Sequence, residues 1–339
     1  MEGYLTHGNT LKIVFLCNSE PSLLLFSCFA YNNQEFNIHI KGCGKMFFGQ
    51  VVTAMVTPFD RDLEIDFGAT KNLLEHLIAN GTDAVVVAGT TGESPTLSFE
   101  EKIELFKFVK NEVNGRIPVI AGTGSNNTKD SIKLTQEAEN IGVDAVMLVA
   151  PYYNKPSQEG MYQHFKTIAE STKLPVMIYN VPGRTASNID PETVIHLSEV
   201  ENIVCVKEAS GNLDAMATII SNTRDDFSLY SGDDSLTLPI LAIGGVGVVS
   251  VAGHIVGNEM QKMISAYKEG NVTEAAKIHR ELLPVFNAMF SAPSPSPLKA
   301  ALNMQGIEVG DVRLPLVPLN DEQKEQLKKQ IQITISDPS

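Results

Sequence analysis

From residue 51 onward the apolar positions of the chain follow two alternating rhythms. Short apolar runs, each leading into a polar turn rich in glycine or proline, read as strands at 51–59, 83–88, 117–121, 144–150, 174–179, 203–208, 227–230 and 246–251. Between them lie stretches with apolar residues three and four apart. Residues 66–80 place Leu73, Leu74, Leu77 and Ile78 on one stripe and meet Gly81, a helix with a left-handed stop. Ser98, with Glu101 three residues on, forms a capping box for a helix to about residue 114. Further helices are expected to about residue 141, from Ser157 to about 171, from Pro191 at a first helical position, and over about 213–222. After residue 271 come helical periods over 273–290 and a proline-rich hinge at 291–297, where Ser296 is expected to cap another helix. A charged helix then spans about 321–331.

Eight strand–helix units in this order predict an α/β fold, a (β/α)8 TIM barrel with a C-terminal helical appendage. A doubly wound open sheet is the alternative, but it rarely needs eight equal units. The expected division is a barrel over 46–270 and a helical appendage over 271–339. Residues 1–45 are expected to be an atypical extension that takes no part in the fold, the working protein starting at Met46. Two apolar runs there, 11–17 and 23–30, are broken by Asn18-Ser19-Glu20-Pro21, and neither reaches the ~20 residues of a membrane span. Residues 1–10 also lack the basic start of a secretory signal, His7 apart.

Composition narrows the function. A net charge of -14 argues against nucleic acid or an anionic membrane as partner. Cys17, Cys28 and Cys43 precede the barrel and only Cys205 lies within it, so no disulfide framework is expected and a reducing cytoplasm fits. No two of the seven histidines sit at ligand spacing, and CxxC and HExxH are absent, which argues against a metal.

The chemistry gathers where the strands end. Strand side chains alternate faces, so Cys205 and Lys207 are expected on one face of their strand and Val204 and Val206 on the other. In a parallel sheet covered on both faces, Lys207 would carry its amine into a dry space. There the free base can attack a carbonyl near neutral pH. Tyr179 closes the strand before it. Thr90 and Thr91 follow strand two, Tyr152 and Tyr153 strand four, and Gly232 strand seven. In a TIM barrel these C-terminal strand ends share one mouth. One amine among hydroxyls and a glycine-rich loop suits Schiff-base chemistry, in which a tyrosine can shuttle protons. Cys205 reads as barrel filling.

Five segments carry a family resemblance: Gly89-Thr90-Thr91-Gly92-Glu93-Ser94, Pro151-Tyr152-Tyr153-Asn154-Lys155-Pro156, Tyr179-Asn180-Val181-Pro182-Gly183-Arg184-Thr185, Val206-Lys207-Glu208-Ala209-Ser210 and Ser231-Gly232-Asp233-Asp234. Together they resemble the dihydrodipicolinate synthase family, of the pyruvate-dependent class I aldolase group that includes N-acetylneuraminate lyase. The resemblance covers about residues 46–331. It implies a lyase of lysine and diaminopimelate biosynthesis that condenses pyruvate with L-aspartate 4-semialdehyde, without a cofactor. It implies Lys207 as the Schiff-base lysine, Tyr179 as proton donor and acceptor, and Thr91 with Tyr153 as the relay, supported by Thr90. It further implies that Thr90, Thr91, Gly232 and Val249 line the pyruvate site and that Arg184 receives the second substrate's carboxylate. Tyr153 would serve a neighbouring subunit, which makes the active unit a homodimer within a cytoplasmic homotetramer.

Two alternatives differ from this reading at particular residues. A sugar-acid aldolase or lyase of the same group typically has Ser where Thr90 stands and lacks an arginine in the Arg184 loop; this chain sides with the synthase on both counts. A non-catalytic regulator on the same barrel would be favoured by loss of the lysine or tyrosine, and both are present. Lysine-inhibited members commonly carry histidines where this chain has Phe99 and Lys102. Lys102 would repel an effector ammonium, so lysine inhibition is expected to be weak or absent. Lysine titrated into an activity assay checks this; strong inhibition below millimolar would contradict it.

Overall fold

The computed structural model describes residues 48–335. The 1–45 extension and the start at Met46 lie outside the described residues. Eight strands form the sheet: β1 (Val51–Ala54), β2 (Ala84–Val87), β3 (Val119–Gly122), β4 (Ala145–Val149), β5 (Val176–Asn180), β6 (Ile203–Glu208), β7 (Ser228–Ser231) and β8 (Gly247–Ser250). Each pairs in parallel with the next, and β8 pairs with β1, so the sheet closes. The expected TIM barrel is the fold.

The helices are α1 (Phe67–Ala79), α2 (Phe99–Val113), α3 (Thr128–Ile141), α4 (Gln158–Ala169), α5 (Pro182–Thr185), α6 (Pro191–Ser198), α7 (Leu213–Asn222) and α8 (Thr237–Ala242). After the last strand come α9 (Gly253–Lys268), α10 (Val272–Ala288), α11 (Ser296–Met304) and α12 (Asp321–Ile335). Of these, α10 packs along α9 and α12 along α10. No helix among the described residues is long and apolar enough to cross a membrane.

Closure separates the apolar side chains into two sets. Val52, Ala54, Val86, Ile120, Met147, Met177, Cys205, Tyr230 and Val249 fill the barrel interior. Val51, Val85, Val119, Val146, Ile178 and Val206 face the other way and pack with Leu73, Leu77, Phe106, Phe165 and their neighbours on the helices. Both faces of every strand are therefore dry, as a parallel sheet requires.

Strand ends and short helices depart from expectation. The first apolar run is strand only to Ala54, because residues 55–59 bend away to meet the C-terminal segment, where the Phe59 N–H donates to the Val309 carbonyl (3.1 Å). Helices α5, α8 and α9 were not individually foreseen; α5 and α8, at four and six residues, are too short to show a period, whereas α9 runs for 16 residues. Ser296 is the first residue of α11 and gives no side-chain cap; Pro295 precedes it. Val204 does not share a face with Val206. The β5–β6 register slips between Val176↔Ile203 and Met177↔Cys205, a bulge at Val204 that leaves its side chain against the interior cluster.

The Ser98 capping box forms as expected. The hydroxyl accepts from the Glu101 N–H at 3.1 Å, and the Glu101 carboxylate accepts from the Ser98 N–H at 2.7 Å. Ser98→Ala is expected to cost about 1 kcal/mol, read as a lowered denaturant midpoint; an unchanged midpoint would show the cap to be idle.

Candidate active site

Beyond the bulge, Cys205 and Lys207 both turn inward. Lys207 is buried, and its register partner on β5 is Tyr179. The Lys207 Nζ lies 4.1 Å from the centroid of the Tyr179 ring. Burial lowers the ammonium from its ordinary value to about 7; the Asp234 carboxylate opposes this and the Arg184 charge adds to it. Burial also pushes the Tyr179 hydroxyl up to about 12, against the Arg184 charge and a Thr90 hydrogen bond. At neutral pH the tyrosine thus keeps its proton while the lysine readily sheds one.

The loop after β2 folds back on itself. The Glu93 N–H donates to the Thr90 carbonyl (3.1 Å) and the Ser94 N–H to the Gly89 carbonyl (3.2 Å). The Thr57 hydroxyl, from the segment after β1, donates to the Gly92 carbonyl at 2.7 Å. Thr91 is buried within this loop and Thr90 half-buried. After β7 the Gly232 N–H donates to the Glu208 carbonyl at 2.7 Å. A Cβ on Gly232 would sit 2.7 Å from the Ala209 Cβ and 3.2 Å from the Lys207 Cγ, so only glycine lets these strand ends meet.

A cavity of about 380 Å³ opens at this end of the barrel, lined among others by Thr90, Lys102, Tyr152, Tyr179 and Arg184. Arg184, at the end of α5, is exposed on its rim. Lys207, Thr91, Gly232 and Val249 do not line it: Lys207 adjoins it through Tyr179, and Val249 is part of the interior cluster. Tyr153 is not brought in. It is 89% exposed, at φ +71°, and its neighbour Tyr152 lines the cavity instead. A separate cavity of about 270 Å³ among the C-terminal helices holds none of these residues. Among the described residues no three of His, Cys, Asp and Glu gather as a metal group. Burial raises the Cys205 thiol, leaving it an inert filler.

Sequence reasoning left two features of the site without a role. The buried Asp234 carboxylate accepts from the Ser250 hydroxyl (2.5 Å) and the Val251 and Ala252 N–H groups (3.1 and 2.9 Å), and its charge acts on Lys207. One residue past the Tyr179–Lys207 pair, the Asn180 amide donates to the Glu208 carboxylate at 3.0 and 3.2 Å. Glu208 also accepts from the Ser210 N–H at 2.7 Å, and burial raises its carboxyl. Their separation of 28 residues carries no signal until the strands pair.

A closed parallel barrel with a dry amine and a phenol side by side at its mouth has a geometry that suits a lyase of the class I aldolase type. The model of the dihydrodipicolinate synthetase family matches residues 47–334. The 4-hydroxy-tetrahydrodipicolinate synthases of Bacillus velezensis and Bacillus subtilis are 62% and 61% identical over 286 and 287 residues. Each alignment covers 84% of this chain and 99% of the relative. The solved structure of a dihydrodipicolinate synthase from Bacillus anthracis, 58% identical, superposes with a TM-score of 0.84 over 87% of this chain and all of that one. The chain belongs to the dihydrodipicolinate synthetase family, and its activity is the 4-hydroxy-tetrahydrodipicolinate synthase reaction of lysine and diaminopimelate biosynthesis.

The shifted amine has a consequence for stability. With a folded value near 7 and an unfolded value near 10.5, the unfolded chain binds more protons between these limits. Lys207 therefore opposes folding most at pH 7 and below, and less as pH rises toward 10. Lys207→Met is expected to melt higher than the parent near pH 7, with the gap closing as pH rises. A Lys207→Met variant that melts lower at every pH would contradict this.

Proposed function

We propose that Lys207 condenses with the ketone of pyruvate and that Tyr179 handles the protons of that step. The observation that carries the reading is the buried Nζ held 4.1 Å from the Tyr179 ring with its ammonium lowered to about 7. The free amine attacks the ketone carbon. Proton delivery from the phenol to the hydroxyl of the carbinolamine lets water leave as the iminium forms. Loss of a methyl proton then gives an enamine, whose carbon attacks the aldehyde of L-aspartate 4-semialdehyde. The amino group of that substrate displaces Lys207 from the imine carbon, closing the ring and freeing the enzyme.

The other roles follow position. Thr90 and Thr91 sit in a loop whose hydroxyls and N–H groups suit the pyruvate carboxylate; Gly232, against the Lys207 stem, and Val249, in the interior cluster, are read as the pyruvate end of the site although neither lines the open cavity. Thr91 stands beside Thr90 in the relay to Tyr179. An exposed guanidinium on the cavity rim supports reading Arg184 as the group that receives the carboxylate of the second substrate. Lys102 on the cavity wall supports weak lysine inhibition.

Tyr153 supports an oligomer. An aromatic residue at φ +71°, exposed on an isolated subunit, gains nothing there for a strain of order 1–3 kcal/mol. We assign it to completing a neighbour's site in a homodimer within a homotetramer, and we place the enzyme in the cytoplasm.

Borohydride reduction in the presence of pyruvate is expected to fix one pyruvate-derived adduct on Lys207, found by peptide mapping. The rate of trapping should rise with pH through about 7 as the amine loses its proton. Tyr179→Phe should slow turnover by about 10²-fold or more. An adduct elsewhere, or none, would overturn the mechanism. Turnover with N-acetylmannosamine in place of aspartate semialdehyde would favour the sugar-acid lyase reading.

A further inference from the structure

Glu93 lies two residues beyond Thr91, at φ +57° and ψ +36°, a left-handed conformation that glutamate adopts reluctantly. Its carboxylate is buried and engaged entirely by the C-terminal segment. Oε1 lies 2.8 Å from the Lys299 Nζ on α11, and Oε2 accepts from the Arg313 N–H at 2.9 Å. Both side chains of the Glu93–Lys299 pair are about 2% exposed or less. The Lys299 contact is a charge contact set off the hydrogen-bonding direction, while Nζ donates to the Asp311 carbonyl at 2.8 Å.

Around this pair the cations converge on Phe59, with Lys299 Nζ 4.1 Å and the Arg313 guanidinium 4.3 Å from its ring centroid. Arg313 also donates to the Thr96 carbonyl (2.9 Å), at the far end of the same loop, and to the Glu101 carboxylate (2.6 Å). The 89–96 loop is thus held from outside at Glu93 and Thr96, while its own Glu93 N–H to Thr90 carbonyl bond links the anchor to the threonines. The contact spans 206 residues of sequence, from position 93 to position 299.

We propose that Glu93 is a positioning residue, fastened by Lys299 so that the C-terminal helical segment sets where Thr90 and Thr91 meet the keto acid. The proposal rests on the reading of those threonines as the pyruvate-carboxylate holders. A carboxylate in a left-handed turn needs a strong partner to stay there, and a buried ammonium supplies one. With the ammonium gone, the buried carboxylate is left without its counter-charge and is driven toward water, carrying the turn with it.

The test compares Lys299→Met, Glu93→Gln, the double variant and Thr91→Val in steady-state kinetics, well below each melting temperature. Lys299→Met is expected to raise the pyruvate KM about ten-fold, with the aspartate semialdehyde KM unchanged, as a small misplacement of a binding loop would. Lys299→Arg should restore most of that loss. Glu93→Gln, which keeps the shape and removes the charge, carries the same expectation should Lys299→Met fail to fold. The double variant removes both charges, so it should regain melting temperature while the pyruvate KM stays high.

If the pyruvate KM recovers together with the melting temperature, the pair is a stability clamp and the proposal falls. If Thr91→Val raises the pyruvate KM while Lys299→Met and Glu93→Gln leave it alone, the strap is wrong and the loop reading stands. An unchanged pyruvate KM in Thr91→Val overturns the loop reading and the strap with it.

Discussion

A lysine amine kept from water is the constraint on which the site depends. Closure of eight strands leaves no edge through which solvent can reach Lys207, and its ammonium is lowered from the ordinary 10.5 to about 7. That drop corresponds to roughly 5 kcal/mol of lost preference for the charged form. The surrounding charges set where it stops. Buried Asp234 draws the value up and Arg184 on the cavity rim draws it down, so neither full neutralisation nor an ordinary lysine results. The amine is left able to shed its proton near neutral pH, as the proposed imine chemistry requires.

A poised amine is useful only if its partner is fixed in register. Tyr179 and Lys207 are opposite one another on β5 and β6, and the next pair along, Asn180 and Glu208, is hydrogen-bonded side chain to side chain. Asn180 reaches further, accepting from the Ile189 N–H at 3.0 Å. The polar network on the outer face therefore pins the strand ends whose inner faces carry the proposed chemistry. The bulge at Val204 belongs to the same device, since it resets the alternation just before Cys205 and Lys207.

The C-terminal helices do more than extend the barrel. Gly310, at φ +67°, comes so close to Phe59 that a Cβ would lie 1.9 Å from its carbonyl oxygen, and the Phe59 N–H donates to Val309. Phe59 in turn lies under both Lys299 and Arg313. The segment after β1, the loop after β2 and the C-terminal segment thus form one packed junction beside the proposed pyruvate loop. Most other ion pairs, such as Arg116–Glu75, lie at the surface in water and contribute little; among the described residues, Glu93–Lys299 is the pair with both charges buried.

Local rules were enough for the sequence to determine the rhythm of strands and helices, the Ser98 capping box and the placing of Lys207 at a strand end. Those rules act over a few residues, so periodicity, caps and turn glycines could be read directly, and five short segments carried the family resemblance. What tertiary structure alone decided is longer in range. The Val204 bulge, the Asn180–Glu208 bond, the grip of Asp234 on β8 and the Glu93–Lys299 pair join residues separated by 16 to 206 positions. Helices α5 and α8 were invisible because a period cannot be seen in four or six residues. Even the amine of Lys207 is ordinary in sequence, and it becomes dry only when the eighth strand pairs with the first.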